Sequence, residues 1–136
     1  MRESLLALLI LLAAGGGVWV WITVRQRRLA RADASDLLAA HGAGRGTAVV
    51  LAFTTPDCMP CKTLQRPALD ELARGFPGRI AIGEVDAIVS PDLARRFGIL
   101  TVPSTVVIGD DGRVRAINNG TATAERLATQ AGLDGM

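Results

Sequence analysis

The sequence predicts one α/β domain, with a mixed central sheet flanked by helices, preceded by one N-terminal transmembrane helix. Three observations predict it: an uncharged run of 20 residues at the front, apolar β-branched runs alternating with helical patterns behind it, and a hairpin signal near the end. With 136 residues, 49% hydrophobic content and 15 glycines, the chain has room for one domain of about 100 residues beyond the front segment. The expected division is residues 1–4 as a flank, 5–24 as the anchor, 25–34 as a basic juxtamembrane linker and 35–136 as the domain.

The anchor is LLALLILLAAGGGVWVWITV, Leu5 to Val24, and a helix of that length rises about 30 Å, the thickness of a hydrocarbon core. Trp19 and Trp21 suit an interfacial position. A cleaved signal peptide and a buried soluble helix are the alternatives. Against cleavage, Glu3 cancels the charge of Arg2 and no clean small-x-small site precedes the tryptophans. Gly15 to Gly17 weaken the helix without forbidding it. Behind the span, RQRRLAR puts four arginines in seven residues, so the positive-inside rule sets the domain in the cytoplasm, with an extracytoplasmic domain as the alternative. Residues 1–31 carry five Arg and one Glu, whereas the remainder holds ten basic and twelve acidic residues, which points away from a nucleic-acid partner.

ADASDLLAAHGAGRG reads as a short helix capped by Asp33 or Ser35 and stopped by glycines, and it offers no apolar alternation for an N-terminal strand. TAVVLAF is a continuous β-branched run, as in a strand buried on both faces. PCKTLQRPALDELARGF places Leu64, Leu69 and Leu72 at roughly helical spacing and ends at Gly75. RIAIGEV is a second strand and PDLARRFG a further helix whose arginines read as its solvated face. STVVIGDDGRVRAI is a hairpin turning at Gly109 to Gly112, and TATAERLATQA a closing amphipathic helix. The first two strands should be parallel neighbours joined by a right-handed crossover. His41, the sole histidine, suits a surface or C-cap role.

Both cysteines lie in FTTPDCMPCKTL, where the first strand feeds its helix, at the strand end where open α/β sheets build their sites. A redox pair, half of a metal site and a coincidence of composition all remain open on the CxxC alone. CMPC between a buried strand and a long helix, EVDA on the next strand and VPS at 102–104 before the hairpin together resemble the thioredoxin family, over about residues 35–133. The resemblance implies the thioredoxin-like fold and thiol:disulfide oxidoreductase activity without a cofactor. It also implies protein or small-molecule disulfides as substrates, and as redox donor a reductase or another dithiol protein. The competing function is a CxxC carrier of a soft metal ion, but two thiolates make an incomplete zinc site and no second CxxC or Met cluster completes it.

On the first turn of a helix, positions i and i+3 share a face with Cβ atoms about 5–6 Å apart, within reach of a disulfide. Cys58, at the helix start, meets free N–H groups and the positive end of the macrodipole, so it is the expected attacking thiolate. Cys61, one turn inside, is the expected resolving thiol. Pro60 suits the first turn, where a missing N–H costs nothing, and Met59 offers an apolar contact to a partner. The resemblance makes Pro103 a cis-proline opposite the disulfide and gives the Val102 backbone a substrate strand to pair with.

Three departures from the family pattern bear on the chemistry. Ala52 stands where thioredoxins commonly bury an aspartate and Glu84 where they carry a lysine, so Glu84 is the candidate proton acceptor for Cys61, as a carboxyl at the edge of an apolar core. Thr54 and Asp57 replace the family's tryptophans. One residue more than usual separates Cys61 from LDELA, which predicts a π-bulge or kink near Gln65 and Arg66.

Overall fold

The front segment forms one uninterrupted helix, α1 (Arg2–Leu29), long and apolar enough to cross a membrane and with the Leu, Ile, Val and Trp side chains of residues 5–24 exposed. Near its end the Arg25 guanidinium lies 5.4 Å over the Trp21 ring, a cation–π contact where the apolar stretch gives way to arginines. This is a computed structural model, and it describes residues 1–29, 33–44 and 46–133.

Behind α1 come α2 (Ser35–Ala40), β1 (Ala48–Thr54), a π-helical turn (Cys61–Gln65) running into α3 (Arg66–Gly75), and β2 (Ile80–Asp86). Then follow α4 (Pro91–Arg96), β3 (Ser104–Ile108), β4 (Val114–Asn119) and α5 (Ala124–Gln130). The sheet order is β2-β1-β3-β4; β1 and β2 are parallel, and β3 is antiparallel to both β1 and β4. This is the expected mixed sheet, and among the described residues no strand precedes β1 apart from a single bridge between Asp33 and Arg113.

The near-continuous apolar run of β1 is explained by helices on both of its faces. Val49, Leu51 and Phe53 pack toward α2 and α4, where the Phe53 and Phe97 rings meet edge to face at 6.4 Å. Val50 and Ala52 face Leu69 and Leu72 of α3 and Leu127 of α5. His41 closes α2 as expected: a carbonyl only accepts, so its Nδ1 donates to the Leu37 oxygen at 2.9 Å.

Three expectations are corrected. Leu64 is exposed, because the π-helical turn rotates the buried stripe onto Cys61, Gln65, Leu69 and Leu72. Arg96 is more than a solvated face: it forks onto both Asp36 oxygens at 2.8 Å, reaches the Asp33 carbonyl at 3.1 Å and covers the Phe97 ring. The N-cap of α2 is Ala34, not the expected Asp33 or Ser35, and the Asp33 carboxylate one residue earlier accepts the Ser35 N–H at 3.0 Å. The Ala34 N–H donates to the Gly112 carbonyl at 2.7 Å, and a Cβ on Gly112 would stand 3.0 Å from the Ser35 Cα. Gly112, at φ +80°, therefore permits both its turn and the docking of this segment.

Candidate functional site

β1 ends at Thr54, and the chain crosses a short loop to Cys58, which caps the following helix. The Cys61 N–H donates to the Cys58 sulfur at 3.2 Å, so the sulfur occupies the place of an N-cap oxygen and receives one of the helix's free donors. The same contact favours negative charge on Cys58 once the bond is reduced. Cys58 and Cys61 are joined in a disulfide with Cα atoms 5.3 Å apart. Both are buried in this oxidised form, at 8% and 6% exposure. Pro60 lies between them with φ −60°, already helical, and Met59 is 62% exposed.

Pro103 enters β3 through a cis Val102–Pro103 peptide. Its neighbour Ser104 pairs with Phe53 at the end of β1, which sets Pro103 beside the approach to Cys58. The loop before it is fixed by the Ser104 hydroxyl, which donates to the Thr101 carbonyl at 2.7 Å. On the other side, the Gly120 N–H donates to the Pro103 carbonyl at 2.8 Å. Half-buried Val102 borders a cleft of about 300 Å³ whose lining includes Thr55, Ala87, Pro91, Ile99 and Leu100.

Glu84 is placed differently from the expectation of a carboxyl at an apolar edge. It pairs in register with Ala52, but its side chain is 45% exposed and both oxygens accept from Arg66, at 3.1 and 3.3 Å. That hydrogen bond and the charge of Glu84 raise the Arg66 guanidinium above its ordinary range. Cys58, Met59, Pro60 and Cys61 thus share one helix start, Val102 and Pro103 lead into the strand beside β1, and Glu84 is engaged by Arg66 of α3.

Gln65 was not foreseen. It is 2% exposed, donates to the Ala122 carbonyl at 3.0 Å and accepts the Ala122 N–H at 2.9 Å. Through Ala122 and Gly120, the helix bearing Cys61 is tied to the loop that holds Pro103. The extra residue after Cys61 was the available signal, because the π-helical turn it creates turns this amide inward.

The sequence model described as Thioredoxin matches residues 41–132. A chloroplastic M-type thioredoxin of Zea mays is 34% identical over 83 residues, covering 61% of this chain and 48% of that one. Thioredoxin C-2 of Corynebacterium nephridii is 33% identical over 82 residues, 60% of this chain and 74% of that one. The chain spans about half the length of the plant relative. Among solved structures, chloroplastic thioredoxin z superposes with a TM-score of 0.59 at 23% identity, covering 76% of this chain and 91% of its own. Oxidised mitochondrial thioredoxin 3 of Saccharomyces cerevisiae gives 0.54 at 26% identity, covering 71% and 87%.

Proposed function

Because the chain belongs to the thioredoxin family, we propose that it is a membrane-anchored thiol:disulfide oxidoreductase acting on disulfides of protein partners or small molecules. The observation that carries this reading is the Cys58–Cys61 disulfide at a helix start, with the Cys58 sulfur accepting the Cys61 N–H. In the reduced protein the Cys58 thiolate attacks one sulfur of the target, the target S–S bond breaks and the departing sulfur takes up a proton. The Cys61 thiolate then attacks the Cys58 sulfur and releases the second target thiol. Two thiols of the chain are oxidised as one target disulfide is reduced, and a reductase or another dithiol protein restores them.

Substrate binding rests on Val102, Pro103 and the helix start. An extended target segment pairs with the Val102 backbone, a flanking side chain enters the cleft beside it, and Met59 and Pro60 contact the segment from the other side. The Cys61 proton passes to Glu84 through water, since the carboxylate's own bonds go to Arg66. Residues 5–24 serve as anchor and 35–136 as the catalytic domain; of the expected linker 25–34, residues 25–29 continue α1 and Asp33 and Ala34 dock on the domain. The arginines behind the span support a cytoplasmic domain, where reduction is the natural direction.

Turbidity from reduced insulin, with dithiothreitol as electron source, tests the activity. The full chain in detergent should accelerate it and Cys58→Ser should abolish the acceleration; an unaffected Cys58→Ser variant would remove the basis of this reading.

A further inference from the structure

Residues 33–36 are fastened to the end of the sheet opposite the cysteines. Ala34 is fully buried and bonded to Gly112, Asp33 bridges Arg113, and Arg96 grips Asp36 and the Asp33 carbonyl. Gly112 belongs to the turn beyond Ile108, the far end of β3, whereas Pro103 leads into the near end. From Pro103 to Gly109 the chain makes six steps of strand, about 20 Å. Helix α1 runs five residues past Val24, a rise of about 8 Å, and only three residues separate its end at Leu29 from Asp33, a reach of at most about 14 Å.

From this geometry we propose that the cysteines occupy the pole of the domain remote from the bilayer, and that the partners are proteins whose disulfides stand clear of the lipid surface. The inference rests on the anchor and thiol chemistry proposed above and is independent of the side on which the domain lies. A partner disulfide at headgroup level meets the turn and α4, not Cys58. A disulfide held a domain's diameter above the bilayer meets Cys58 directly.

The test uses the full chain, reduced and freed of reductant, in phosphatidylcholine vesicles. Three pyridyl disulfides are compared: soluble 2,2′-dipyridyl disulfide, a pyridyl disulfide linked closely to phosphatidylethanolamine, and the same group on a long poly(ethylene glycol) spacer. Cys58 bonds to the probe sulfur, the probe S–S bond breaks and pyridine-2-thione leaves. Cys61 then displaces the remaining thiol, so that the chain is oxidised as the probe is reduced. The closely linked lipid should react at least about 10-fold more slowly than the long-spacer lipid, because a tether unable to span the gap gives almost no effective concentration. Inserting a flexible Gly/Ser segment of about 20 residues between Leu29 and Ala30 should remove the difference by letting the domain turn over. Equal rates for the two lipids in the unaltered chain, or a difference that survives the insertion, would overturn the proposal. Pyridyl disulfides react with any accessible thiolate, so the lipid ratio reads position alone. The rate with the soluble probe relative to glutathione separately reads whether Cys58 is activated.

Discussion

Cys58 ends the loop behind β1 and caps the helix that carries Cys61, so the sulfur proposed to attack is also the helix cap. Cys58, Cys61 and Pro103 were legible because their spacing and neighbours form a motif. Gln65 was not, since a glutamine in an amphipathic stretch reads as surface unless the π-helical register is known. Gln65→Leu fills much of the same volume and strands the Ala122 N–H and C=O in the interior, each costing about 1–3 kcal/mol. Urea unfolding should show a loss of at least about 2 kcal/mol; a loss under about 0.5 kcal/mol would mean that the amide bonds contribute little. Glu84 was legible as a carboxylate on the strand neighbouring the one that ends at the motif, but its engagement by Arg66 depends on a side chain 18 residues away. Glu84→Gln should slow insulin reduction about 10-fold, less than the 100-fold or more of a directly bonded base. Unchanged turnover would pass the acceptor role to bulk water.

At the scale of elements, β1, β2 and the hairpin followed from apolar β-branched runs, and the disturbance after Cys61 followed from one surplus residue. What spacing did not convey is the direction of the shift: an extra residue within the turn moves Leu64 to solvent and Gln65 inward. Leu64→Lys should therefore change the urea midpoint little, within about 0.5 kcal/mol, whereas Leu69→Ala should cost about 2–5 kcal/mol. A large loss from Leu64→Lys would contradict the π-helical register. The α2–α4 contact gives a pH dependence. The Ser35 backbone N–H chiefly lowers the Asp33 carboxyl, and the Arg96 guanidinium chiefly lowers that of Asp36. Groups lowered on folding stabilise above the unfolded value, and that contribution disappears as pH falls through the folded one. The urea midpoint should then hold steady from neutrality and fall below about pH 4, less steeply in Asp36→Asn. A fall of equal steepness in that variant would exclude Asp36 as its source.

At the scale of the molecule, the order helix, strand, helix, strand, helix, hairpin, helix was enough to give the sheet with β1 inside and parallel to β2. The pole at which residues 33–36 dock was not readable, because it depends on Gly112 lacking a Cβ where Ser35 docks and on a pairing of Arg96 with Asp36 across 60 residues. The proposed chemistry depends on Cys58 attacking and Cys61 resolving. The most direct measurement is non-reducing gel electrophoresis with mass spectrometry of the full chain after reaction with a protein disulfide such as insulin. Cys61→Ser should accumulate a covalent adduct through Cys58 that dithiothreitol dissolves, and Cys58→Ser should give none. An adduct formed through Cys61 in the Cys58→Ser variant, with none in Cys61→Ser, would contradict the assignment.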